Sequence, residues 1–237
     1  MQSKWKKIIA VLMIAVFVLS GCGSIGEKKN SANGTVHLTF GHGQAEGHPY
    51  HKAALYFKEQ VENKTNGRVI VDIQPNGNLG DEREMTEGLQ LGTIDITVAV
   101  AATLSGFDSD MDVFNFPYLF DTREQAFQVL DSETGKEIFD GMKEQGIEIY
   151  GTFDLGFRSM TNSKHPIKTP EDAKGIRMRT LESSVCVDSL GELGIDAVSM
   201  SFGELFTALQ TGAVDGQKIH CSLFIIQDFM KFRSISL

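Results

Sequence analysis

Cysteine is scarce in this chain: only Cys22, Cys186 and Cys221 occur, with no CxxC pair and no Cys/His cluster at zinc spacing. Neither a metal site nor a disulfide framework is therefore expected, and no Cys186–Cys221 bridge is anticipated. Clustered positive charge is missing too, since no Lys/Arg run follows residue 29 and the formal net charge is -9. That excludes a nucleic-acid partner, although one or two arginines inside a cleft still suffice for a small anion. Catalytic signatures are absent: there is no GxSxG, HExxH or Walker-type loop, and Gly41-His42-Gly43 lacks the rest of a dinucleotide fingerprint. No enzyme activity and no cofactor are expected. Of the six histidines only His42, His48 and His51 fall close together. Their spacing suits neither a helical ligand pair nor a zinc knuckle, so they read as solvated loop residues.

What is present is an ordinary globular composition over 237 residues, 41% hydrophobic and 22% charged, enough for one large or two modest domains. The first 21 residues look like an export signal. Lys4, Lys6 and Lys7 precede an apolar run from Ile8 to Leu19, shorter than the ~20 residues that span a bilayer. Leu19-Ser20-Gly21-Cys22 then resembles the lipobox of bacterial lipoproteins, which implies acylation of Cys22 and cleavage before it. An uncleaved N-terminal membrane anchor is the alternative, and either one places the remainder outside the cytoplasm. Residues 22–34 are small, polar and non-periodic, as a flexible tether would be.

Beyond the tether, apolar strands alternate with amphipathic helices. Strands are predicted at Val36–Phe40, Val69–Ile73, Ile94–Val100, Ile147–Thr152 and Ile176–Thr180. Helices are predicted at Pro49–Thr65, Asp81–Leu91, Arg123–Val129, Gly135–Gln145, Ser183–Leu193 and Ser201–Thr211, with a short helical turn at Pro170–Lys174. Asn66-Gly67, Gly92, Gly194 and Gly212 serve as helix stops. This order argues for an α/β fold with sheets covered on both faces.

Several segments, taken in order, resemble the solute-binding subunits of tripartite ATP-independent periplasmic (TRAP) transporters, the DctP family. They are Phe40-Gly41-His42 leading to His48-Pro49, Thr65-Asn66-Gly67-Arg68, Pro75-Asn76-Gly77-Asn78-Leu79-Gly80-Asp81-Glu82-Arg83-Glu84 and Gly92-Thr93-Ile94-Asp95. Phe116-Pro117-Tyr118-Leu119-Phe120, Gly156-Phe157-Arg158, the run Pro170 to Arg179 and the run Ser201 to Gln217 complete the series. The resemblance implies a two-lobed α/β periplasmic-binding-protein-like fold, incomplete at its C-terminus, with a first lobe at 35–153 and part of a second at 154–217. It implies a monomeric receptor, lipid-anchored through Cys22, that captures a small organic acid, a sugar acid or a dicarboxylate, for the membrane subunits of a TRAP transporter. An extracytoplasmic ligand-sensing module is the competing reading, and a secreted hydrolase a more distant one.

For the site, the resemblance makes Arg179 the main carboxylate anchor, which suits its place at the end of a predicted strand. Arg158 matches a second arginine, Phe202 an aromatic packed on ligand, and Glu182 a polar ligand contact. A carboxylate at Glu182 favours hydroxylated acids over plain dicarboxylates. His42 and Glu46 lie in a first loop that faces the cleft in the family. Arg177 carries no ligand role, and Val100 stands where the sialic-acid-binding members place a glutamate.

The likeness stops after Gln217, where the family continues Glu-Asn-Pro and this chain reads Lys218-Ile219-His220-Cys221. Restoring one G before a Lys codon AAA turns those four residues into Glu, Asn, then Ser, Pro or Thr, then Leu. Residues 218–237 are accordingly expected to be an out-of-frame tail, which leaves a truncated and inactive remnant as a further possibility.

Overall fold

The computed structural model describes residues 34–220; the predicted export signal, Cys22 and Cys221 lie outside the described residues. Strand β1 (Val36–Gly41) is followed by helix α1 (Pro49–Lys64), β2 (Val69–Gln74), α2 (Glu82–Leu91) and the two-residue β3 (Ile96–Thr97). The three strands form a parallel sheet in the order β2-β1-β3. Phe40, Ala54 and Val71 knit β1, α1 and β2 into one core.

Local chemistry explains the two helices. Asp81 and Glu84 form a reciprocal capping box at the start of α2, and Gly92 ends it in the left-handed region at φ 69°. Gly41 lets α2 cross β1 closely, since a Cβ there would sit 2.7 Å from the Met85 sulfur. In α1 the cap is His48, whose Nδ1 accepts from the Tyr50 amide at 3.1 Å.

After α3 (Ala101–Leu104) and a 3-10 stretch at Ser109–Asn115 come α4 (Arg123–Leu130) and α5 (Glu133–Gly141), the latter tightening into a 3-10 turn at Met142–Gln145. Met111, Met142 and Ile147 form their core. The second sheet is built from β4 (Arg158–Asn162), β5 (Arg177–Thr180), β6 (Asp196–Ser199) and β7 (Gly216–His220), in the order β4-β7-β5-β6, with only β4 antiparallel. Helix α6 (Ser184–Gly191) and helix α7 (Phe202–Thr211) supply Leu190 and Leu205 to the two cores beside this sheet. The chain is thus a two-lobed α/β structure.

Three expectations need correction. The predicted strand Ile147–Thr152 forms no ladder, because no strand among the described residues lies alongside it; Tyr150 is 91% exposed. The strand expected over Ile94–Val100 shrinks to two residues. Asp95 satisfies the Thr39 amide with its side chain instead, and the Val100 amide turns to the Glu82 carboxylate. The histidines are not solvated as a group: His42 and His48 are buried. His42 Nε2 lies 3.1 Å from His51 Nδ1, and its ring meets Phe40 edge-on. Strand β7 spans Gln217, with Ile219 buried against α7; of the expected tail, residues 221–237 lie outside the described range.

Burial holds His42 and His48 below their ordinary imidazole value of 6.5. A depressed histidine contributes stability that is complete above its unfolded value and is lost as pH falls through the folded one. The melting temperature should therefore fall as the pH is taken down through and below about 6.5. His48→Asn, which retains a capping acceptor but does not titrate, should flatten that slope in thermal melts. An unchanged slope contradicts the assignment.

Candidate functional site

A cavity lies between the two lobes, at the carboxyl ends of β1 and β5, where open α/β sheets leave room for a ligand. The first lobe contributes Gln44, Tyr50, Glu82, Val100 and Thr103. The second contributes Arg158, Arg179, Glu182, Ser201 and Phe202 among others. The lobes also meet where the Ser183 hydroxyl donates to the Asp112 carboxylate at 2.6 Å, and where Arg123 pairs with Asp154.

Arg179 sits on β5, flanked by Val198 of β6 and Gln217 of β7, and is 2% exposed. Its Nε donates to the Met200 carbonyl at 3.1 Å. Arg158 opens β4 and reaches sideways to the Lys218 carbonyl, also at 3.1 Å. Among the described residues neither guanidinium has an ion-pair partner within 4.0 Å. Burial, and next the positive charge of Arg158, press Arg179 down to about 10. Burial likewise lowers Arg158, with Glu82 among the groups that partly offset it. The two cations favour negative charge nearby, and Glu82 and Glu182 of the same lining supply part of it.

Glu82 is the first residue of α2. One carboxylate oxygen, Oε2, accepts from the Val100 amide at 3.0 Å and from the Thr103 hydroxyl at 3.3 Å. Burial pushes its pKa up, against the pull of those hydrogen bonds and of both arginines. Glu182 is raised as well, by burial first and then by Asp81. Tyr50 packs between His48, at 4.7 Å, and Phe153, at 5.6 Å between ring centres, and burial raises its phenol.

Of the residues singled out in the sequence, Arg179, Arg158, Glu182 and Phe202 line this cavity together. His42 and Glu46 do not. The His42 ring is turned onto His51, while Glu46 is exposed on the loop. Arg177 faces outward and is tied to Asp215 and to the Gly212 carbonyl. Glu82, Gln44, Tyr50 and Thr103 were missed. No local signal marked Glu82, since the capping box of Asp81 and Glu84 already accounts for the acidic start of α2.

Fold and cavity together define a two-lobed α/β protein with a cavity between its lobes lined by both arginines and glutamates, the form of a solute-binding protein. Residues 40–234 match the family described as "Bacterial extracellular solute-binding protein, family 7" (DctP), and the chain belongs to that family. It is 35% identical over 183 residues to the C4-dicarboxylate-binding periplasmic protein DctP of Rhodobacter capsulatus, covering 76% of this chain and 54% of that one. Its structure resembles the sugar acid binding protein DctPAm of Advenella mimigardefordensis, solved with galactonate, with a TM-score of 0.81, 33% identity, and coverage of 84% of this chain and 64% of the other. A TRAP periplasmic solute-binding protein from Polaromonas, bound to D-erythronate, gives a TM-score of 0.80 at 35% identity, with 83% and 65% covered. The chain thus spans about half to two thirds of the length of these relatives.

Proposed function

We propose that this chain is an extracytoplasmic receptor that captures a small organic acid in the cavity between its lobes and passes it to the membrane subunits of a TRAP-type transporter. The observation that carries this reading is the pair of arginines, Arg158 and Arg179, which line one cavity with no carboxylate within ion-pair distance among the described residues. A ligand carboxylate would supply the missing charge and, at a guanidinium, accept two parallel hydrogen bonds. Membership of a family of extracellular solute-binding proteins supports the same role, as do the acids named for its relatives. The role is capture and release rather than catalysis. The sequence supports lobes divided near residue 153, a tether at 22–34, and a lipid on Cys22 that keeps the receptor at the membrane. Short of that, the assignment to an extracellular family stands by itself.

Binding by mass action should raise the melting temperature of the purified chain by roughly 5 °C when an accepted acid is present at about a hundred times its Kd. Arg179→Ala should abolish that shift, because it removes the anchor and leaves the ligand charge desolvated and unpaired. An undiminished shift in the variant, or no shift from any carboxylic acid, contradicts the reading. For the anchor, Cys22→Ala should move the expressed protein from the membrane to the soluble fraction. If both forms partition alike, Cys22 is not the lipid attachment point.

A further inference from the structure

The first loop and the start of α1 reach the cavity through Gln44 and Tyr50, and each of these is seated by a buried imidazole. His42 Nδ1 accepts from the Gln44 amide at 3.3 Å, and His48 Nδ1 accepts from the Tyr50 amide at 3.1 Å. The His48 ring also meets the Tyr50 ring edge-on, and Tyr50 in turn packs on Phe153. His42 is 0% exposed and His48 1%.

A backbone amide only donates, so both Nδ1 atoms present a lone pair and the hydrogen of each neutral ring sits on Nε2. That hydrogen lets His42 donate to His51 Nδ1 at 3.1 Å, which leaves His51 unprotonated at the same nitrogen. The chain from the Gln44 amide through His42 to His51 thus runs in one direction. A second proton on His42 can go only to Nδ1, where it faces the Gln44 N–H, and a second proton on His48 faces the Tyr50 N–H. In either case an acceptor becomes a donor and the hydrogen bond is lost. The titratable groups facing His42 are His51 on α1 and His48 on the loop, both bases, and with burial they lower its affinity for a proton. Beside His48 stands Tyr50, beyond which lie Glu82, Arg158 and Asp154.

We propose that His42 and His48 are positioning residues for the ligand cavity: as neutral acceptors they seat Gln44 and Tyr50 in its wall, and a proton on either imidazole releases that wall and weakens the hold on a bound acid. The proposal rests on the carboxylate-binding reading above and adds a pH dependence to it. A second trend opposes it. Burial raises Glu82 and Glu182, so acidification also removes negative charge from the lining, which favours an anion. Release of the wall therefore shows as weaker binding in acid, and protonation of the glutamates alone as tighter binding.

The test is isothermal titration of the full chain, purified in detergent, with galactonate and D-erythronate at about pH 8 and about pH 5.5, which bracket an imidazole, at a temperature where circular dichroism shows the fold intact at both. Both probes stay ionised throughout, since such carboxyl groups titrate at about pH 3.5. The Kd of a bound probe should rise about fivefold or more in acid, the effect of one lost hydrogen bond. His42→Asn and His48→Asn each retain an acceptor in place of Nδ1 but do not titrate. Each should reduce that ratio, and the two together should bring it below about twofold. A purely structural role lowers the melting temperature in acid and leaves the Kd ratio alone. A wild-type Kd that stays flat or falls in acid overturns the proposal and leaves carboxylate binding intact, and so does a ratio unchanged in both variants. Failure of both probes to bind at about pH 8 overturns the proposal together with the reading beneath it. If the variants do not fold, the wild-type ratio decides, because the glutamates push it the opposite way.

Discussion

Two guanidinium groups at one cavity, Arg179 buried and Arg158 half-buried, with no carboxylate within ion-pair distance of either among the described residues, are the condition around which this molecule is arranged. Desolvating an ion costs several kcal/mol even after relaxation. Arg179 recovers part of that through the Met200 carbonyl, and Arg158 through the Lys218 carbonyl. Glu82 and Glu182 supply more at longer range, yet the net effect still lowers the affinity of both arginines for their protons. Holding the two arginines there costs stability, which their carbonyl and carboxylate neighbours offset only in part. The charge of this cavity is therefore set by the fold itself.

The surrounding architecture serves that arrangement. Parallel strands β5 and β6 end beside the cavity and β7 flanks β5, which fixes the Arg179 backbone, while the Met200 carbonyl holds its side chain. Antiparallel β4 brings Arg158 to the same place from the opposite direction. On the other side, the capping box of α2 fixes where that helix starts, and its first residue is Glu82. The Val100 amide then leaves the β3 ladder to bind Glu82, so a two-residue strand is part of how the acidic wall is held. The Ser183–Asp112 hydrogen bond joins the lobes next to Glu182, and Ser183 also caps α6, which links lobe contact to the stability of a helix.

Much of this was legible before any coordinates, and the reasons are particular. Helices α1, α2, α6 and α7 carry capping residues and α2 and α7 a terminal glycine, so their ends were located to within a residue or two. Strands β1, β2 and β5 stood out by apolar content or by their place in a recognisable motif. Strands β4, β6 and β7 did not, because Arg158–Asn162, Asp196–Ser199 and Gly216–His220 are short and mixed, and only their pairing makes them strands. Arg158, Arg179, Glu182 and Phe202 were located through motif likeness, and the structure brings them to one cavity. Glu82 and Gln44 escaped because their roles depend on the two lobes coming together, a contact that no local pattern encodes. The histidines misled for a related reason: His48 reads as a polar loop residue until its imidazole is seen capping α1 and supporting Tyr50.

The most direct test of the account is a crystal structure of the chain with galactonate. The carboxylate should lie within hydrogen-bond distance of both Arg158 and Arg179. Density for the acid elsewhere, or a carboxylate that touches neither arginine, would contradict it.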